Sequence, residues 1–204
     1  MNDCKLCGKV EALPILSHQH HDHVFDTFPL SVERLSGTYD FIRVIAPHDL
    51  CSTLQPGDTV AVTGELRSYN DREAVHNRLK ISIWAREILP SEDEPDNFIH
   101  LIGSLCKPAV YRRTPFGREI ADLMLCVERE YSAAHVHRCD YIPCIAWGSV
   151  ARRMAVLPSR SMIELCGRIQ SRRYIKVIDG KPEERTAYEV SIATAEVMEE
   201  ENVL

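Results

Sequence analysis

The chain repeats itself. Leu6-Cys-Gly-Lys-Val10 returns as Leu101-Ile-Gly-Ser-Leu105, and Val32-Glu-Arg34 as Val127-Glu-Arg129, both 95 positions on. Asp40-Phe-Ile42 returns as Asp140-Tyr-Ile142 at 100. Val62-Thr-Gly-Glu-Leu-Arg-Ser68 returns as Leu165-Cys-Gly-Arg-Ile-Gln-Ser171 at 103, and Leu79-Lys-Ile-Ser-Ile83 as Tyr188-Glu-Val-Ser-Ile192 at 109. The offset only grows, as it does when one fold is copied and the second copy carries longer loops. The join is Leu89-Pro-Ser-Glu-Asp-Glu-Pro-Asp96, whose two prolines and four acids cannot continue a strand. Four regions follow: a first domain over 1–89, a linker over 90–96, a second domain over 97–198 and a short acidic tail over 199–204.

Both copies read as β-structure. The spacing predicts strands near 5–12, 24–34, 39–46, 59–69 and 78–89 in the first, with a helical turn within 48–54. In the second, Asp140 to Gly148 alternates. Ile142, Cys144 and Ala146 face one way, and Tyr141, Pro143, Ile145 and Trp147 the other. Ile163, Leu165, Gly167 and Ile169 form a core face on the next strand; Arg168, Gln170, Arg172 and Tyr174 oppose them. Ser149 is placed to cap a short helix from Val150 to Leu157, ended by Pro158. Asp179-Gly180 marks a hairpin tip.

The stretch Asn97 to Met198 resembles the bacterial single-stranded DNA-binding protein family nearly end to end. The matching pieces, in order, are Asn97 to Gly103, the hairpin tip Arg113-Thr-Pro-Phe-Gly117, Leu123 to Tyr131, Tyr141 to Gly148, Gly167 to Arg172 and Thr186 to Val190. No single piece is specific; six in the right order are. The resemblance implies an all-β chain of two tandem OB-folds, five-stranded Greek-key barrels with at most one short helix each. It places Tyr141, Trp147 and Tyr174 where the family stacks bases, and Tyr131 near another such position. Arg112, Arg113, Arg168, Arg172, Arg173 and Lys176 are the phosphate candidates. Arg152 and Arg153, on the predicted helix, are expected to be solvated. Aromatic faces stack on any base while guanidinium groups neutralise phosphate. The bland alternative, that these rings close the barrel or an interface, stays open.

Charge agrees with that division. Residues 1–96 carry 9 basic and 16 acidic side chains, and residues 97–204 carry 15 and 14. Between Arg168 and Lys176 there are four basic residues and no acid. Local field rather than net charge governs phosphate binding. The eight cysteines fall largely within predicted strands (Cys7, Cys126, Cys144, Cys166), as apolar filler does. No basic-then-apolar leader opens the sequence, so reduced thiols and a cytoplasmic, nucleoid-associated protein are expected, with no membrane contact.

The first copy departs from the family pattern. Asp71 stands where Tyr174 does, Glu65 matches Arg168, and Trp147 has no aromatic match. Arg67, Tyr69 and Arg72 are weaker candidates. The first domain is therefore expected to be a degenerate barrel that completes an oligomer. His18-Gln-His-His-Asp-His23 satisfies a metallohydrolase signature, H-x-H-x-D-H, but lies in a hairpin loop with no βαβ context, and a polar loop is preferred. Cys4-Lys-Leu-Cys7 lacks the second half of a zinc site. No phosphate-cradling glycine loop, nucleophile elbow or catalytic carboxylate pair is present, and neither enzyme activity nor a cofactor is expected.

The expectation is sequence-tolerant, salt-sensitive binding of single-stranded DNA in support of replication, recombination or repair, by a homodimer presenting four OB-folds. The family's acidic C-terminal tip recruits repair and replication enzymes; here only the short Glu199-Glu-Glu-Asn-Val-Leu204 stands in place of the family's long tail, and a recruitment hub is not expected. The second reading is an OB-type protein-interaction module of a primosome or conjugation system.

Overall fold

The computed structural model describes residues 1–71, 78–129, 138–178 and 180–198, the side chains of residues 176, 178 and 181 excepted. The first copy contains β1 (Asn2–Val10), β2 (Ile15–His20), β3 (His23–Glu33), β4 (Tyr39–Pro47), α1 (His48–Cys51), β5 (Thr59–Asn70) and β6 (Leu79–Pro90). The second contains β7 (Asp96–Leu105), β8 (Val110–Arg113), β9 (Glu119–Glu128), β10 (Cys139–Trp147), α2 (Gly148–Ala155), β11 (Met162–Ile178) and β12 (Lys181–Val197). In the first, β1 pairs antiparallel with β3 and β5, β3 with β4, and β5 with β6; the parallel β4–β6 pair closes the barrel. The second closes identically through β7, β9, β10, β12 and β11. This is the expected OB topology twice over, with the helix between third and fourth strands. Short β2 and β8 each add a hairpin arm.

Ladder registers fix which residues are equivalent. Gly64 and Gly167 both sit where the register shifts against a bulge, opposite Ala85 and Ile192. A Cβ at either would overlap the backbone carbonyl of Trp84 or of Ser191, so only glycine lets the strands cross this closely. Leu66 faces Ile83 and Ile169 faces Val190, which sets the last offset at 107. The sequence match of Leu79–Ile83 at 109 is thus two residues out, though on the correct face.

Alternation holds through most of the core: Ile42, Val44 and Ala46 in one barrel and Ile142, Cys144 and Ala146 in the other are buried. Two expected outward residues are not exposed. Ile145 is buried beside its parallel partner Ser191, over which the Trp147 indole leans to donate to the hydroxyl at 3.2 Å. Gln170 is buried and donates to Glu189 at 3.2 Å. Ser149 does not cap α2; the helix starts two residues earlier, with Trp147 at the N-cap position and Gly148 at φ 54. β11 and β12 pair as far as Ile178↔Lys181, and Gly180 at the hairpin tip has φ 77; Asp179 lies outside the described residues.

The barrels are fused strand to strand. β1 and β7 pair antiparallel from Asn2↔Leu101 to Cys7↔Asp96, and one apolar cluster runs through both cores. Two clasps related by the repeat tie the junction. Asp40, fully buried, accepts from Arg34 Nε and Nη2 at 2.7 and 2.5 Å and, across the junction, from the Ser171 N–H and hydroxyl at 2.6 and 2.8 Å. Asp140, also fully buried, accepts from Arg129 at 2.8 and 2.7 Å and from the Ser68 N–H at 2.7 Å. Burial pushes the Asp40 carboxyl up, but the Arg34 guanidinium and the Ser171 donors together hold it below the ordinary carboxylate value.

Candidate nucleic-acid interface

The clasps also position side chains of the expected interface. Ser68 accepts the Tyr141 N–H at 2.7 Å, so a barrel-one residue fixes the backbone of a barrel-two aromatic. The residue after Ser68 is Tyr69; the residue after Ser171 is Arg172. A cavity of about 690 Å³ opens between the barrels there, walled by Arg43, Tyr69 and Lys80 from the first and by Lys107, Arg112 and Arg172 from the second.

Of the expected stacking residues, Trp147 and Tyr141 are exposed on the outer face of β10, at 38% and 48%. Arg168 is exposed on β11 directly opposite Ser191, the residue that holds the Trp147 indole. Indole and guanidinium thus flank one ladder position. Tyr174 is half-buried, with the Arg172 guanidinium 5.7 Å from its ring centroid. It lies on the same face of β11 as Arg168, six residues and so roughly 20 Å further along. Neither Trp147 nor Tyr174 is sealed in the core.

Other expectations need correction. Arg173 alternates with Arg172 and Tyr174, so it projects from the opposite face of the ribbon, 3.8 Å from Glu184. Arg112 is held by Asp122 at 2.8 and 3.2 Å, and Arg113 lies 3.4 Å from Glu119. These two are ion-paired before any ligand arrives. On α2, Arg152 reaches Glu119 at 2.6 Å and Arg153 donates to the Ala195 carbonyl at 3.1 Å, so neither is merely solvated. Tyr131 and Arg72 lie outside the described residues, as does the side chain of Lys176.

Barrel one holds what the sequence reading missed. By register, Pro47 stands at the place of Trp147, and Trp84 at the place of Ser191. The indole is present, carried by the neighbouring strand. Its centroid is 4.7 Å from that of Phe25 and 6.0 Å from that of His18, which stacks on Phe25 at 5.0 Å. Exposed Phe41 occupies the place of Tyr141, and Tyr69 that of Arg172. Arg43 donates to the Tyr69 hydroxyl at 2.5 Å and lies 5.8 Å from its ring centroid. Chain-wise offsets could not show a swap between adjacent strands; a tryptophan midway along a strand with Ile83 and Ala85 pointing inward was the available signal.

The histidine run forms the tip of the β2–β3 hairpin, with His21 at φ 52 in the turn. His18 is engaged with Phe25, and the rings of His20 and His21 meet edge-on at 4.3 Å. Among the described residues no His, Cys, Asp and Glu group converges as metal ligands would. The eight cysteines are free thiols. No helix among the described residues is long and apolar enough to cross a membrane.

Barrels of this topology with an aromatic and basic outer face define a tandem OB-fold protein. The profile of the Single-strand binding protein family matches residues 96–198, half of the sequence, and the chain belongs to that family. The single-stranded DNA-binding protein of Clostridium tetani (strain Massachusetts / E88) is 35% identical over 80 residues, covering 38% of this chain and 55% of that one. Single-stranded DNA-binding protein B of Bacillus subtilis (strain 168) is 28% identical over 110 residues, 45% of this chain and 97% of that one. The chain thus spans about half the length of the Clostridium relative. The crystal structure of the wild-type single-stranded DNA binding protein from Thermus aquaticus superposes with a TM-score of 0.77 at 19% identity, over 98% of this chain and 93% of that one. That likeness extends the two-barrel fold to the first copy, which the family profile does not reach.

Proposed function

We propose that the chain binds single-stranded DNA without sequence preference, supporting replication, recombination or repair. The observation that carries this reading is the joint exposure of Trp147 and Arg168 about Ser191 on the outer wall of barrel two. A ring and a guanidinium with one strand between them offer a base its flat contact and the adjacent phosphate its charge. Tyr141 and the Arg172–Tyr174 pair extend the surface along β10 and β11. Membership in the family, and the printed names of the relatives, support the same ligand. In a titration of labelled oligo-dT, Trp147→Ala should weaken binding by ~1–3 kcal/mol, roughly 5- to 150-fold, the worth of one stacked base. Salt should reverse the binding steeply. Salt-independent binding, or an unchanged affinity in Trp147→Ala and in Arg168→Gln alike, overturns the reading.

Two OB-folds per chain reach four in a homodimer, and we propose that assembly. The proposed setting is the cytoplasm, with replication or recombination proteins as further partners. Light scattering should return twice the chain mass; a monomer at micromolar concentration refutes the dimer.

A further inference from the structure

We propose that barrel one carries a second single-strand site, in which a base stacks within the His18–Phe25–Trp84 cluster and its acceptor oxygens meet Arg67 and Ser82. The inference rests on the reading above and extends it to the copy whose sequence departs from the family pattern.

The argument starts from a pair of ladder partners. In barrel two, Gln170 and Glu189 face each other and satisfy one another, and Glu189 also draws Arg172 to 3.4 Å. The equivalent partners in barrel one are Arg67 and Ser82. A carboxylate has gone and a guanidinium has arrived. Arg67 Nε and Ser82 Oγ are both buried with no hydrogen-bond partner. A buried polar group without a partner costs about 1–3 kcal/mol, so two side by side in one wall call for an explanation. Both can donate, and the partner they lack is an acceptor. The terminal nitrogens of Arg67 are engaged, with Glu65 as ion-pair partner and Asp140 at 3.5 Å, so Nε is the guanidinium donor left open; burial pulls the group below its ordinary value despite those two carboxylates.

Arg67 and Ser82 line a second cavity of about 570 Å³, whose other walls include His18, Phe25 and Trp84 and, from barrel two, Arg129 and Arg138. Aromatic planes and donors lining one cavity are the two halves of a nucleotide site: a π-face for the base, N–H and O–H groups for a base carbonyl or phosphate oxygen. The cavity shares Arg43 and Tyr69 with the inter-barrel cavity. One unpaired strand can therefore pass from the Arg172 wall of barrel two, over the Arg43–Tyr69 pair, to Trp84.

The chain has two tryptophans, Trp84 and Trp147, so each barrel reports separately once the other indole is replaced. Trp147→Phe leaves Trp84 as the reporter, Trp84→Phe leaves Trp147, and each keeps an aromatic face. Both variants, checked for native circular dichroism, are titrated at low salt with oligo-dT of roughly 35 nucleotides, above the ~4–16 that one OB-fold occupies. The expected result is loss of Trp84 emission in Trp147→Phe, restored by salt. If Trp147 emission falls in Trp84→Phe while Trp84 emission in Trp147→Phe stays constant at saturating oligo-dT, the second site is overturned and single-strand binding stands. If neither indole responds, both fall.

Discussion

Replacing Asp40 by alanine tests whether the clasps hold the barrels together. The carboxylate takes two bonds from Arg34 on its own barrel and two from Ser171 on the other, all between 2.5 and 2.8 Å. Its removal leaves the Ser171 N–H and hydroxyl without this acceptor, and leaves the largely buried Arg34 guanidinium with only the Ser171 carbonyl, at 2.7 Å, of the acceptors in the clasp. Breaking a buried ion pair from one side costs about 3–5 kcal/mol. Ser171→Ala removes one charge-assisted bond and leaves the backbone N–H in place, so about 1.5 kcal/mol is expected. The two losses share a partner and should not add: Ser171→Ala should cost less on the Asp40→Ala background, a coupling of about 1 kcal/mol. The assay is urea unfolding followed by circular dichroism across pH. Asp40 has a depressed folded pKa, so its contribution is complete above the unfolded carboxylate range and is lost as pH falls through the folded value. The gap between wild type and Asp40→Ala should be widest at neutral pH and shrink in acid. A neutral-pH gap below about 1 kcal/mol, within the range of an ordinary surface substitution, or a gap unchanged into acid, refutes the reasoning.

Gly167→Ala should destabilise by about 1–3 kcal/mol in the same unfolding assay, because a Cβ there meets the Ser191 carbonyl; an unchanged midpoint would mean that the bulge can relax. Arg168→Gln should lower the slope of log affinity against log salt by about 0.7, one phosphate on a single strand, whereas Arg112→Gln should change it less, since Asp122 already holds that guanidinium. Thiol titration of the native protein should find Cys106 reacting first, on access: partial burial pushes its thiol up too, but it is exposed, whereas Cys4 and Cys51 are buried and pushed up to about 12 and 11. Equal rates at all eight thiols would show that the cores open on the assay's timescale.

The fold was legible in the sequence because its constraints are local. Close-approach glycines at Gly64 and Gly167 and alternation along β4 and β10 leave short, ordered traces. Arg34, Asp40, Ser68 and their counterparts Arg129, Asp140 and Ser171 all lay inside the matched segments, yet their role did not show. A contact across a junction depends on how two barrels meet, which alternation within one strand does not encode. The candidate surface was legible in barrel two, where alternation along β10 and β11 predicts the outward exposure that Trp147 and Arg168 have. The barrel-one aromatic cluster was hidden because its indole is carried on β6, at the place Ser191 takes in barrel two, and not on β4. Comparison along matching strands finds Pro47 and stops.

The β1–β7 seam has a consequence for polarity. Two identical subunits meeting across such a seam would look the same from either end. Here the halves are covalently distinct, with tryptophan on β10 of one and on β6 of the other, so the surface has a front and a back. A ligand whose own ends differ cannot be reversed on it without meeting different side chains, so one heading should be preferred.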